Sequence, residues 1–126
     1  MADAKLWQMR VLRMIKGVTR MDCIRNERIQ QELDVEPVGT FIEKNQLRWL
    51  GHLLRMEESR LPLKWYKWKP QRKRPIGRPR RRWIDTVQAA LEKRSQSMDE
   101  VMQAKLYEDR TRWRKLISYD EQIAQT

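Results

Sequence analysis

Apolar residues recur every three to four positions along most of the chain, the spacing that places them on one face of a helix. Residues 3–16 form the first predicted helix, with Asp3 as its N-cap and Gly17 as its C-terminal stop. Its apolar arc is wider than the contact between a pair of helices requires, and comprises Leu6, Trp7, Met9, Val11, Leu12, Met14 and Ile15. We interpret this arc either as core or as a face that meets another domain.

Two further helices are predicted before residue 59. One passes through Ile24, Ile29 and Leu33, with a break near Asn26, and the other covers 38–56. Gly51 lies inside the latter, where it costs roughly 1 kcal/mol relative to Ala. We therefore expect another helix or backbone segment to approach closely at Gly51.

The C-terminal third carries two more predicted helices. The first covers 81–93, and the second begins at the capping box Ser97-Met-Asp-Glu100 and continues to residue 118. Residues 119–126 have little to bury and are expected to fray. Residues 61–68 could pair as a short ribbon, but strand alternation is otherwise lacking. The pattern predicts a mainly α fold, a small bundle of about four to five helices.

Charge is distributed unevenly along this pattern. The 126 residues include 28 basic and 17 acidic side chains, a formal net charge of +11. Residues 60–82 hold eleven Lys and Arg and no Asp or Glu, which leaves 17 of each sign elsewhere. Because like charges repel, this concentration indicates a polyanionic partner. We divide the chain into a helical portion (1–59), a basic connector (60–82), a helical pair (83–118) and a tail (119–126).

The connector combines cations with aromatic rings. Trp65, Tyr66 and Trp68 alternate with lysines, which suits phosphate contacts beside bases that stack. Pro70, Pro75, Pro79 and Gly77 favour an extended backbone that can follow a strand or groove. The candidate nucleic-acid-binding residues are Lys64, Trp65, Lys67, Trp68, Lys69, Arg72, Lys73, Arg74, Gly77, Arg78, Arg80, Arg81 and Arg82. A solvated linker or a nuclear-import signal is the alternative interpretation.

The last arginines of the connector run directly into a predicted helix. Cations at a helix N-terminus oppose the macrodipole, and a bound phosphate at Arg80–Arg82 would relieve that repulsion. This observation also favours a partner rich in phosphate.

Composition argues against several other classes. No run approaches the roughly 18 apolar residues of a membrane span, and the N-terminus lacks a signal-peptide pattern. Cys23 and His52 are the single residues of their types, so neither a disulfide nor a Cys/His metal site is expected. His52 has no catalytic partner, and Glu57-Glu58 is a lone acidic pair. We expect a nuclear or cytoplasmic protein that is not an enzyme and uses no metal, cofactor, membrane or small-molecule substrate.

Three blocks together resemble a known family. They are Val11–Ile29, Leu47-Arg-Trp-Leu-Gly-His-Leu-Leu-Arg-Met56 and Gly77-Arg-Pro-Arg-Arg-Arg-Trp-Ile-Asp85, and Asp109–Ile117 is similar to the closing block of the same region. In this order and spacing they resemble the region after the polymerase core in reverse transcriptases of non-LTR (LINE-type) retrotransposons. The likeness is closest to elements that carry an apurinic-type endonuclease, and it covers about residues 6–117.

The resemblance implies a thumb-like helical portion followed by a basic portion. In such RNA-directed DNA polymerases these parts would hold the RNA template and the DNA primer or target. The sequence contains no Tyr-x-Asp-Asp motif, because Tyr119-Asp120 is followed by Glu121-Gln122. The carboxylate cluster that two-metal nucleotidyl transfer needs is therefore missing. We expect a non-catalytic C-terminal fragment of such an enzyme that binds RNA or DNA.

The connector also resembles an AT-hook at Pro75-Ile-Gly-Arg-Pro79. Ile76 stands where the first Arg of the hook's core belongs, which removes one cation that reads the minor groove. We therefore expect binding to the phosphate backbone, with minor-groove contact as an addition.

A second hypothesis treats the chain as an assembly piece. The apolar faces of 6–15 and 41–54 would then dock on a reverse transcriptase core or mediate self-association. A non-functional relic of a transposable element is the remaining alternative.

Overall fold

The computed structural model describes residues 2–118. Within them lie seven α-helices and no strand, which confirms the mainly α fold. The helices are α1 (Ala2–Lys16), α2 (Asn26–Glu32), α3 (Val38–Leu54), α4 (Leu61–Lys67), α5 (Trp83–Glu92), α6 (Met98–Gln103) and α7 (Arg110–Ser118), with a 3-10 turn at Arg20–Asp22. The chain divides into two compact units, Met1–Glu43 and Lys44–Thr126. The predicted frayed tail and the Tyr119-Asp120 pair lie outside the described residues.

In the first unit, α1 packs against α2. Met9 and Leu12 of α1 and Ile29 of α2 are buried together because their spacing places them on facing sides of the helices. Gln8 ties this pair to the start of α3: its Nε2 donates to the Glu36 carbonyl at 2.8 Å, and its Oε1 accepts the Val38 N–H at 3.0 Å.

The predicted start of α1 was wrong, whereas its predicted end is confirmed. The helix begins at Ala2, so Asp3 lies in the first turn and the N-cap prediction was wrong. The glycine stop is confirmed, because Gly17 has φ +72° and its N–H donates to the Met14 carbonyl at 3.2 Å. The Val18 N–H reaches back to the Arg13 carbonyl at 3.0 Å, which completes a Schellman motif.

The second unit is organised around a Trp on α7. The indole Nε1 of Trp113 donates to the Leu47 carbonyl at 2.9 Å, and the ring lies against Gly51 of α3. A Cβ at Gly51 would lie 2.6 Å from the indole Cδ1, so only glycine allows this approach. The expected close contact at Gly51 is thus confirmed. The surrounding buried side chains are Leu47, Leu50, Val87, Ala90, Leu91, Val101 and Ile117.

The last predicted helix is in fact two helices. Its start is confirmed: Ser97 Oγ accepts the Glu100 N–H at 3.1 Å, and Glu100 Oε2 accepts the Ser97 N–H at 2.9 Å. The continuous run to residue 118 was wrong, because α6 ends at Gln103 and Lys105 has φ +47°. The Asp109 side chain then opens α7 by accepting the Thr111 N–H at 2.9 Å.

Candidate nucleic-acid interface

The first third of the connector is a short amphipathic helix, α4. The predictions of an extended connector throughout 60–82 and of a ribbon over 61–68 were therefore wrong here. Pro62 lies in the first turn, where its missing N–H costs no hydrogen bond. Leu63 is only 3% exposed, and this burial holds the helix on the second unit.

Tyr66 lies one turn after Leu63 and is the second anchor of α4. Its ring meets Trp83 edge-to-face with centroids 6.4 Å apart, and it packs on the core of the second unit. Burial raises the pKa of the Tyr66 hydroxyl. Tyr66 is therefore a structural contact, unlike the two tryptophans with which the sequence groups it. The i, i+3 spacing of Leu63 and Tyr66 was the signal that sequence reasoning missed.

The other side of α4 presents two tryptophans to solvent. Trp65 and Trp68 are 69% and 61% exposed, and their rings lie 6.2 Å apart at an interplanar angle of 64°. The side chains of Lys64 and Lys67, also on α4, are exposed beside these rings in the sequence. The helix thus displays apolar faces and cations together, as stacking on bases beside phosphates requires.

Residues 68–82 contain no helix or strand, as the sequence predicts for this part of the connector. Gly77 has φ +119°, a conformation that favours glycine, and Ile76 is fully exposed. All thirteen candidate nucleic-acid-binding residues are exposed, in α4 or in this stretch. The structure places Lys64, Trp65 and Lys67 on α4, with Trp68 directly after its last residue, and leaves the others distributed along the stretch.

The charge excess belongs to the second unit. Residues 1–43 contain seven Lys and Arg and seven Asp and Glu, so the whole net charge of +11 lies in residues 44–126. A few carboxylates offset this positive charge locally. Glu58 accepts a hydrogen bond from Lys67 Nζ at 2.9 Å, and this contact lowers the pKa of the Glu58 carboxyl.

Asp85 tempers the charge at the start of α5. Its Oδ2 accepts the Arg82 N–H at 2.9 Å. The carboxylate therefore supplies negative charge at the N-terminus of α5. From the sequence, a bound phosphate was expected to relieve the repulsion of the three arginines at this position.

Other chemistry is sparse in the described part of the chain. His52 is exposed, with its ring 5.6 Å from that of Trp49. Residues 2–118 contain no group of three or more His, Cys, Asp or Glu side chains that could hold a metal ion. Among the same residues, every helix is too short or too polar to cross a bilayer.

A second surface lies on α1 in the first unit. Of its predicted apolar arc, Met9 and Leu12 are buried, whereas Leu6, Trp7, Val11, Met14 and Ile15 are exposed. A groove of about 780 Å³ lies along α1, and its lining includes Leu6, Met9 and Met14. Most of the arc is therefore an open apolar face rather than core of this unit.

Comparisons of the chain with protein-family models, curated proteins and solved structures returned no match.

Proposed function

We propose that the chain is a non-catalytic nucleic-acid-binding module that holds template, primer or target strands through its connector. One observation carries this proposal: two exposed tryptophans, one on α4 and one directly after it, lead into a cationic stretch without regular secondary structure. Phosphates would contact the Lys and Arg side chains, and unpaired bases would stack on Trp65 and Trp68. The helical parts of the second unit would serve as the platform to which Leu63 and Tyr66 fasten α4.

The origin in a non-LTR retrotransposon reverse transcriptase belongs to the same proposal. Its support is the set of sequence blocks, which fall on α1–α2, on α3 and on the stretch that leads into α5. A polymerase needs such a module because its template and primer must stay bound while separate catalytic residues act. The module would contribute affinity and position, and no chemical step.

The test is a salt series with purified protein and three nucleic acids: an RNA–DNA hybrid with a primer end, duplex DNA, and single strands. If about six phosphates are neutralised, the log–log salt slope for duplex DNA should lie near roughly −5. Replacing Arg78 and Arg80–Arg82 by Ala should weaken binding to all three and flatten the slope. A wild-type slope indistinguishable from zero would overturn the proposal.

The matched control removes the same charge from the neutral unit. Lys5, Arg20, Arg25 and Arg28 are exposed, and their replacement by Ala lowers the net charge by the same amount. If binding depends on the connector, this variant should bind nearly as tightly as the wild type. Equal losses in both variants would mean that net charge alone attracts the polyanion.

Stacking is tested separately. Replacing Trp65 and Trp68 by Ala should reduce single-strand affinity more than duplex affinity, because duplex bases already stack on one another. Each stacked base contributes roughly 1–3 kcal/mol, so a five-fold or greater loss is expected. Trp7 and Trp49 are also exposed and provide the control substitutions. Equal losses on single strands and duplex would contradict the stacking role.

The open face of α1 favours a second candidate, an assembly piece that docks on a polymerase core or self-associates. Sedimentation velocity over a wide concentration range separates this function from binding by a monomer. A mass that rises with concentration and returns to monomer in Leu6→Glu with Ile15→Glu would support self-association. A monomer at every concentration would exclude self-association.

A further inference from the structure

Three arginines converge where α3 ends beside α7. Arg55 directly follows α3, and its Nη1 donates to the Tyr107 carbonyl at 2.8 Å, three residues before Arg110. One turn earlier on α3, Gly51 receives the Trp113 ring. That contact places α7 alongside the end of α3, and Arg110 and Arg114 lie one turn apart on α7. We call Arg55, Arg110 and Arg114 the arginine cluster.

The two carboxylates that directly precede α7 do not compensate this cluster. Glu108 pairs with Lys105 at 3.5 Å. Asp109 Oδ1 accepts the N–H groups of Thr111 and Arg112 at 2.9 and 3.3 Å, and so caps α7. Both acidic side chains are thus committed to other partners.

Arg55 bears the consequence of this arrangement. Its Nε is buried and has no hydrogen-bond acceptor among the described residues. Burial lowers the pKa of the Arg55 guanidinium, and the positive charges of Arg110 and Arg114 lower it further. A buried donor without an acceptor and a cation facing like charges are both unfavourable, and an anion beside the cluster would offset the like charges.

We propose that the arginine cluster binds a phosphate group. Guanidinium groups offer paired N–H donors that match phosphate oxygens, and three of them surround a tetrahedral anion better than a flat carboxylate. In the setting of the proposed function, on which this step rests, the phosphate belongs to the nucleic-acid backbone. The cluster then fixes one phosphate on the folded core, apart from the phosphates that contact the connector.

The experiment compares two variants of α7 with equal charge. Arg110→Gln with Arg114→Gln removes part of the cluster, whereas Arg112→Gln with Lys115→Gln removes exposed cations of the same helix. Both retain the buried Trp113. Because the first variant relieves repulsion on Arg55, it should fold without loss of thermal stability.

The first readout is Tm in increasing inorganic phosphate, with sodium chloride at matched ionic strength. At a tenfold excess over its Kd, phosphate should raise Tm by roughly 5–10 °C in the wild type and in the control variant. The rise should disappear in the cluster variant. The connector adds little to this shift, because an exposed segment without regular structure binds anions equally in the folded and unfolded chains. Equal rises in both variants would overturn the proposal.

The second readout is the salt dependence of duplex DNA binding. Loss of one phosphate contact should make the log–log slope shallower by roughly 0.9 in the cluster variant, relative to the control. Loss of the Tm rise with unchanged slopes would show that the cluster takes free phosphate, and would overturn its role in nucleic-acid binding. Failure of the proposed function would give a different result, because the wild type would then bind no nucleic acid. The Tm measurement would still show whether the arginine cluster binds phosphate.

Discussion

Replacing Gly51 by Ala tests the contact that holds α7 on α3. The added Cβ would lie 2.6 Å from Cδ1 and 2.9 Å from Cε2 of Trp113, a ring that is 2% exposed. Moving the ring to make room would break its hydrogen bond to the Leu47 carbonyl. Overpacking costs roughly 1–3 kcal/mol, and a buried donor left without its acceptor adds roughly 1–3 kcal/mol. The helix propensity of Ala returns roughly 1 kcal/mol. We expect a net loss of about 1–5 kcal/mol.

Urea unfolding followed by far-UV circular dichroism measures this loss. Five of the six tryptophans lie in residues 44–126, so the transition that shifts should be the one that tryptophan fluorescence chiefly reports. Trp113→Leu provides the control, because the smaller side chain leaves room for a methyl group at Gly51. In that background Gly51→Ala should cost less than about 1 kcal/mol. Equal costs in both backgrounds would refute the steric explanation.

Three further predictions concern other contacts. Ser95 follows α5 with φ +56°, so Ser95→Gly should raise the free energy of unfolding by roughly 0.5–1 kcal/mol, and an unchanged or lower Tm would contradict this. Hydrogen bonds from the Thr19 N–H and hydroxyl lower the pKa of Asp22 below its usual 3.8. The stabilisation from these hydrogen bonds is complete above pH 3.8 and is lost as the pH falls through the lowered pKa of Asp22. The urea midpoints of the wild type and of Asp22→Asn should therefore converge in acid. A difference between the two midpoints that does not change with pH would exclude the effect. Glu58→Gln frees Lys67 from its ion pair and should raise duplex affinity by roughly two- to fivefold in an anisotropy titration. An equal gain in Glu57→Gln would mean that the gain in affinity comes from net charge rather than from the freed Lys67.

The features that could be predicted from sequence are those fixed within a few residues. A Ser followed at the third position by Glu can close a capping box locally, and the Ser97–Glu100 box forms as predicted. The Gly17 stop is local in the same sense, since only glycine enters its left-handed conformation without strain. Neither feature depends on which distant residue packs nearby.

The errors fall where distant contacts decide the structure. The apolar spacing within residues 61–68 is too short to decide for a helix by itself, and α4 is held because Leu63 is buried and Tyr66 packs on the core of the second unit. The break between α6 and α7 contains neither Gly nor Pro, so the apolar period continued through it. Asp109 was the missed signal, because its side chain is a good N-cap for a new helix.

The candidate site divides along the same line. Ten of the eleven Lys and Arg in the connector were candidates, and all ten are exposed, because charge excess and exposure go together; Arg60 is exposed as well and was not among them. The sequence grouped Tyr66 with its neighbouring tryptophans, since a sequence does not show which ring turns inward. The arginine cluster was missed because Arg55 and Arg110 are 55 positions apart. The Gly51–Trp113 contact and the hydrogen bond from Arg55 to the Tyr107 carbonyl bring them together, and sequence spacing specifies neither.

Binding and stability are therefore separable in this chain. The core contacts of the second unit come from helices on either side of residues 68–82, whereas residues 69–81 contribute exposed cations and belong to no helix. Because like charges repel, neutralising the stretch should leave the free energy of unfolding unchanged or slightly higher while affinity for a polyanion falls. Substitutions of Leu63 or Tyr66 should instead lower stability and affinity together, since they release α4 from the core and displace both exposed tryptophans. A loss of binding in the first group can thus be attributed to the lost contacts themselves, because the fold that presents them is intact.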